Sequence, residues 1–376
     1  MTPSLGNVPR SARPPSATSS LTEREDLARA RALVLAHGRN ATCYQILNPG
    51  FRRWFAPEGD AVVAYVPHAG VRVVGGEPVC PPQRLAAVVD AFERDAVRRR
   101  RRVCYFGAEE PLAEVLRARG PCDRLVLGAQ PMWSPASLVA SFRDKASLRA
   151  QVHRARNKGV SARHWPSERA AGHPGLGRCL EDWLATRGLP PMHFLVEPET
   201  LSRLEDRRVF VAERDGVPVA FLVASPVPAR RGWLIEQIIR GMEGEREAPN
   251  GATELLLHAA ALELAAADAR FVTLGLAPLS RHAEPPGIHP IHPPWLIRQI
   301  LGRVRAWGRL FYDFEGLETF KAKFVPDSWE PIYAIAGERR IGLRTLYAIA
   351  GAFSGASPIA FVARGALRRL VPARWR

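Results

Sequence analysis

The sequence predicts an α/β protein in which two similar halves each build a mixed central sheet. Three observations carry that expectation. Apolar, β-branched runs alternate with stretches of helical period. Each half reads in the order helix, hairpin strands, helix, strand, and the hairpins turn on Gly pairs or Asp-Gly. At 376 residues, with 47% hydrophobic and 24% charged residues, the chain has room for two cores and an ordinary globular balance.

Residues 1–21, rich in Pro and Ser, are expected to be disordered. Residues 22–135 are expected to form the first half, 136–338 the second and 339–376 a basic and apolar helical tail. In the first half Thr22-Glu23-Arg24-Glu25 reads as a capping box opening a helix that stops at Gly38. A hairpin turning at His68-Ala69-Gly70, a helix near Arg84–Arg98, a strand at Val103–Phe106, a helix near Pro111–Arg119 and a strand from Arg124 follow. The second half is expected to open with one long basic helix, from about Leu138 to Lys158. A strand from Val160, a helix from Gly175 and a hairpin at Asp215-Gly216 come next.

The functional reading centres on Trp233 to Leu279. It is expected to contain a strand to Arg240, a Pro249-Asn250-Gly251 loop, a helix from Thr253 and a second strand through Thr273. Side-chain alternation would set Glu236 and Arg240 on one side of the first strand, with Gln237 on the other. A carboxylate and a guanidinium in so apolar a segment need partners or a substrate. They are either an ion pair of the sheet or the floor of an active site.

The net charge of +16 and pI of about 10.6 favour a polyanionic partner, nucleic acid or an anionic membrane face, unless they reflect arginine-rich codon usage. Lys145, Arg149, His153 and Arg156 recur one turn apart on the long helix, with Arg154 and Lys158 beside them. That stripe is either a solvated face or an anion-binding surface. The five cysteines are scattered and lack a C-x-x-C pair, so they point to reduced thiols rather than a disulfide framework or a zinc site. His282, His289 and His292 lie in a proline-rich loop at spacings that suit no metal ligand pair. No secretory signal is visible. The run 345–363 carries no charge and approaches the roughly 20 residues of a membrane span, but Pro358 interrupts it and arginines flank it. It is expected either to dock on the protein or to lie on an anionic surface, ahead of spanning a membrane.

Several motifs, in order, resemble a known family: Gly76-Glu77-Pro78, Leu148 through Gly159, Ala248-Pro249-Asn250-Gly251, Leu274–Leu279 and the Phe314–Tyr333 block. Together they are similar to the C-terminal domain of bacterial phosphatidylglycerol lysyltransferases, over about Ala41 to Tyr333. The resemblance implies tandem GNAT-like (N-acetyltransferase-like) domains that pass an amino acid from aminoacyl-tRNA to a phospholipid head group. It implies Glu236 and Arg240 as catalytic residues, and Gln237, Asn250, Gly251, Lys321 and Lys323 as substrate-binding residues. Lys145, Arg149, His153, Arg156 and Lys158 would face tRNA. No cofactor and no metal are expected, because the aminoacyl ester is already activated. Partners would be aminoacyl-tRNA, an anionic phospholipid at the inner face of the cell membrane and a separate flippase. The place would be cytoplasmic and peripheral to the membrane.

Two departures stand out: Gln237 where the family carries an acid, and Gly76-Glu77-Pro78 for Gly-Asp-Pro. Three other readings remain: an acyl-CoA-dependent N-acyltransferase, an inert tRNA- or membrane-binding module, and transfer to a cell-wall precursor. Glu247–Ala252 lacks the pyrophosphate-cradling loop that the first would need.

Overall fold

The computed structural model describes residues 17–120, 122–186, 190–243, 246–283, 314–337 and 341–355, with 357, 358 and 360 beyond. The Pro285–Pro294 loop, the helix expected near Trp295–Leu310, His289, His292 and residues 1–16 lie outside the described residues. The first helix, α1, spans Ala17–His37, so part of the stretch expected to be disordered is helical and Thr22 is inside the helix rather than at its cap.

Twelve strands form one mixed sheet. In chain order β1 is Arg52–Phe55, β2 Val62–His68, β3 Val71–Gly75, β4 Arg102–Ala108, β5 Asp123–Trp133 and β6 Val160–Trp165. Strand β7 is Arg208–Arg214, β8 Val217–Val227 and β9 Gly232–Arg240. A separate hairpin of β10 (Met242–Glu243) and β11 (Arg246–Glu247) precedes β12 (Phe271–Thr273), β13 (Ala277–Pro278) and β14 (Ser328–Ala336). The sheet order is β1-β2-β3-β4-β14-β5-β12-β9-β8-β7-β6, with β13 also on β5. The last strand of the chain therefore sits between two strands of the first half, and one sheet runs through both. Among the described residues only β3/β4 and β9/β12 pair in parallel. Parallel pairing needs a crossover, supplied by helix α2 (Leu85–Arg98) in the first half and by a later helix in the second.

Separate cores form on the sheet. Val88, Val89 and Phe92 of α2, with Leu112 and Leu116 of α3 (Glu110–Ala118), pack on Val63, Val74, Tyr105 and Tyr333. Helices α4 (Pro135–Asp144), α5 (Ala146–Asn157) and α8 (Ala252–Ala266) cover Phe210, Leu222 and Ile235. The short α6 (Ser167–Ala170) and α7 (Pro174–Ala185) pack, with Leu201 and Leu204, on Val211, Phe221 and Ile239.

The long basic helix is in fact two. Ser134 caps α4 by accepting from Ser137 N at 3.0 Å. Lys145 is then extended and separates α4 from α5, which lets both Leu138–Phe142 and Leu148–Val152 reach the α8 core.

Helix α9 spans Phe314–Ala322 and α10 spans Leu343–Ser354. Thr345, Ala348, Gly351 and Ala352 of α10 are buried, the alanines in the core of Val62, Ala64, Val71 and Val73. Of the expected tail, this part docks on the protein's own sheet, because a face of small residues approaches closely: a Cβ on Gly351 would lie 2.1 Å from the His68 ring. Among the described residues no helix is long and apolar enough to cross a membrane. All five cysteines are free.

Gly251 starts α8 with φ +93°, and a Cβ there would lie 2.1 Å from the Gln151 carbonyl oxygen of α5. The α5–α8 contact thus depends on that glycine. Gly251→Ala is expected to cost at least about 1–3 kcal/mol from backbone strain alone, read as a lower urea midpoint. Asn250→Ala, at an exposed neighbour, should stay within about 0.5 kcal/mol of wild type.

Candidate active site

Strands β9 and β12 pair only from Gly232–Leu234 to Phe271–Thr273. Beyond that β9 stays with β8, whereas the chain after β12 leans away and pairs with β5 through β13. The two parallel strands diverge, and α8 begins at the same end. Openings at the carboxyl ends of parallel strands are where α/β sheets take ligands, and a helix N-terminus there favours anions.

One lip of the opening carries Glu236. Val223 faces Gln237 and Ala224 faces Ile235, so Glu236 is an extra residue in β9, a β-bulge. The bulge resets alternation. Ile235 and Ile238 belong to the α8 core, whereas Ile239 belongs to the α7 core. Glu236 and Gln237 consequently turn to the same side, towards 197–207. The sequence expectation that Glu236 shares a side with Arg240, and that Gln237 opposes Glu236, is overturned by this one residue. Arg240 turns to the other side and donates to the Ala248 carbonyl at 2.6 Å.

The Glu236 carboxylate accepts from Arg207 Nε at 2.5 Å and from Gln45 Nε2 at 2.5 Å. The side chains are 7% and 3% exposed for Glu236 and Arg207. Gln45 Nε2 also donates to Ser225 Oγ at 2.8 Å, and Arg207 lies over the Tyr44 ring at 4.7 Å. The partner of Glu236 is thus Arg207, not Arg240. Gln237 accepts from Thr200 Oγ1 and donates to the carbonyls of Glu197 and Pro198, at 2.8 and 2.9 Å. Its amide fixes the 197–200 backbone, a task for which a carboxylate lacks the donors.

The other lip carries Lys321. Its ammonium is buried and donates to the carbonyls of Gly275 and Leu276, each at 2.8 Å. Burial lowers its pKa from 10.5 to about 7. Lys323 pairs with Glu254 of α8 at 2.6 Å, and Lys145 donates to the Lys323 carbonyl at 2.9 Å. Lys145 is therefore a brace of this lip rather than a member of the α5 stripe, because the backbone break lies at that residue. Arg149, bonded to the Arg143 carbonyl, and His153, Arg156 and Lys158 are exposed on α5. Asn250 is exposed, and Gly251 acts through the α5 contact.

A second polar cluster was not assigned from sequence. Glu109, buried just after β4, accepts from Ala41 N at 2.8 Å and Gln130 Nε2 at 3.2 Å, with Arg230 at 3.6 Å. Arg230 also pairs with Glu330 at 3.0 Å. Glu77 is 7% exposed and neither carboxylate oxygen has a hydrogen-bond partner. Burial and the charge of Glu109 raise its pKa. The available signal was a carboxylate within two residues of the end of each apolar strand of the β3/β4 pair. Asn40 fills the gap between these strands, donating to the Gly107 carbonyl at 2.9 Å. His282, expected in a surface loop, stacks on Trp329 with centroids 4.4 Å apart and meets Glu318 at 2.9 Å.

The model of the family "Phosphatidylglycerol lysyltransferase, C-terminal" matches residues 31–336. The chain belongs to this family. An uncharacterized protein of Corynebacterium glutamicum is 24% identical over 312 residues, which is 81% of this chain and 38% of that protein. The chain thus spans well under half the length of that relative. Among solved structures, the C-terminal domain assigned to a lysylphosphatidylglycerol synthetase of Agrobacterium fabrum is similar with TM-score 0.73 and 20% identity. That likeness covers 89% of this chain and 98% of the other. L-PGS from Bacillus licheniformis is similar with TM-score 0.69 and 19% identity, covering 92% and 97%. At such identities the likeness is one of fold. The α/β class and the GNAT-like fold expected from the sequence are those observed.

The Lys321 geometry gives a signed prediction. Below about pH 7 the folded and unfolded states both carry the lysine proton, and folding bears the full cost of burying it. Between about 7 and 10.5 only the unfolded lysine holds the proton, so the cost fades as pH rises. Lys321→Met should be more stable than wild type at neutral pH, with the gap closing towards pH 10.5, followed by urea denaturation across that range.

Proposed function

We propose that this chain transfers an amino acid from aminoacyl-tRNA to the head group of a phospholipid, phosphatidylglycerol being the acceptor in the family's name. The observation that carries the reading is the diverging pair β9/β12, with a carboxylate held in a bulge on one lip and a buried lysine on the other. Membership of the family supports it. In this reading the protein works at the inner membrane face, and movement of the product to the outer leaflet falls to a separate flippase.

The reaction joins an acceptor hydroxyl oxygen to the aminoacyl carbonyl carbon. The hydroxyl proton departs, a tetrahedral oxyanion forms, and the bond to the tRNA ribose oxygen breaks as that oxygen regains a proton. An activated ester needs positioning, proton transfer and oxyanion stabilisation. Lys321 suits the proton steps, because its neutral form is available near pH 7. Glu236, fixed by Arg207 and Gln45, suits a role holding the aminoacyl ammonium. Arg240, Lys323 and the α8 N-terminus offer positive charge to phosphate. The stripe of Arg149, His153, Arg156 and Lys158 offers charge to a polyanion.

The test uses purified protein, radiolabelled aminoacyl-tRNA and phosphatidylglycerol vesicles, with label followed into the chloroform-extractable fraction. Transfer by wild type is expected, falling about 100-fold or more in Lys321→Met and strongly in Glu236→Gln and Arg240→Ala, with each variant folded. The rate should rise as pH passes about 7 and level off above it. Absence of labelled lipid with every aminoacyl-tRNA would overturn the reading, and tight calorimetric binding of acetyl-CoA would favour acyl-CoA chemistry instead.

A further inference from the structure

Helix α10, the segment the sequence offered to a membrane surface, spends its apolar face on the core. A different surface has the chemistry for an anionic lipid. Between α5, β6 and α8 lies a groove of about 280 Å³ whose lining includes Arg156, Ser161, Val160, Leu255, His258 and Leu262. Leu262 is 46% exposed. Aliphatic side chains form its wall, and its two basic groups come from neighbouring helices.

Positive charge predominates around the groove. Helix α5 and strand β6 contain no Asp or Glu. On α8, Glu254 is taken by Lys323 at 2.6 Å, and Glu263 by His164 at 3.4 Å and Arg208 at 3.7 Å. Arg156, His153 and Lys158 are exposed at the end of α5. Burial lowers the His258 pKa, and the Arg156 charge lowers it further. An anion beside both groups would offset the Arg156 charge and favour the protonated imidazole. The lining also argues for the kind of anion. Single-stranded nucleic acid is held by stacking on aromatic rings, and no Phe, Tyr or Trp lines this groove. Leu255, Leu262 and Val160 instead match a hydrocarbon wall.

We propose that the groove docks the head group of an anionic phospholipid, Arg156 and His258 meeting its phosphate and Leu255 and Leu262 its first hydrocarbon carbons. The site holds the domain on the membrane face and lies beside α8, whose N-terminus borders the β9/β12 opening. It rests on the lipid-acceptor reading, but vesicle binding is measured apart from transfer.

The experiment is co-sedimentation of the whole chain with vesicles of phosphatidylcholine alone or mixed with phosphatidylglycerol, at fixed salt. Wild type is expected on the mixed vesicles and not on phosphatidylcholine. Arg156→Ala should weaken binding about fivefold, the value of one cation at an anionic surface. His258→Gln and Leu262→Ser should weaken it as well, with urea midpoints checked because the His258 ring packs 5.0 Å from buried Phe142. Arg101→Ala, which removes an equal charge from the exposed run after α2, should change binding less than twofold. Equal binding to both vesicle types, or groove variants that bind as wild type does, would overturn the groove even if transfer activity is present. A loss of tRNA binding in Arg156→Ala with vesicle binding unchanged would assign the groove to nucleic acid and overturn it too. Failure of transfer with the groove effects intact would count against the proposed reaction and leave the docking site standing.

Discussion

Glu236 and Arg207 form an ion pair whose side chains are 7% and 3% exposed, and keeping that pair satisfied organises one side of the second half. A buried pair repays its desolvation only with good geometry and further hydrogen bonds. Arg207 gains them from the Arg203 carbonyl at 2.8 Å and Asn48 at 3.4 Å, and Glu236 from Gln45. Those donors and acceptors sit on two non-regular segments, around 38–48 and 197–207. Tyr44 extends the link by donating to Asp206 at 2.9 Å, and Asp206 accepts from Arg31 of α1 at 2.6 Å. One pair in a bulge therefore ties β9 to the start of the first half and to the N-terminal helix. Removing either partner leaves a charge that this whole segment was arranged to cover.

Elements whose burial follows a simple period were legible in the sequence. Helix α8 was expected from Thr253 and spans Ala252–Ala266, and the hairpin of β7 and β8 turns at Asp215-Gly216 as read. What escaped was set by tertiary partners. Lys145 reads as helical because nothing local forbids it, and only the need of two apolar faces to reach α8 breaks the chain there. The place of β14 between β4 and β5 is a long-range pairing, information no local pattern holds. The bulge at Glu236 is one inserted residue, indistinguishable in sequence from regular alternation, and it moved Glu236 away from Arg240. Glu236 and Lys321 thus flank the divergence of β9 and β12, whereas the pairing of Glu236 with Arg207 had no local sign.

The two halves meet the same constraint differently. Each holds one parallel pair joined by a helix, and each pair diverges beyond its last paired residues. In the first half the divergence after Gly75 and Phe106 is filled by the chain itself. Asn40 donates to the Gly107 carbonyl and Ala41 N to Glu109, supplying from within the donors a ligand would otherwise bring. The close fit shows in Gly76, at φ +68°, where a Cβ would lie 2.7 Å from the Asn40 side chain. Glu77 beside it is buried near Glu109, and both effects raise its pKa against the pull of Asn40.

In the second half the corresponding lips carry Glu236 and Lys321, whose bonds run to protein groups that hold them still while leaving them chemically distinct. Glu236 is anchored by the Arg207 guanidinium, and Lys321, bonded to carbonyls in a dry site, loses its proton readily. The first half is packed shut around Asn40, whereas β9 and β12 part beyond Leu234 and Thr273. The segment Asn40 to Thr42, which fills the gap after β3 and β4, is the physical difference between the two parallel pairs.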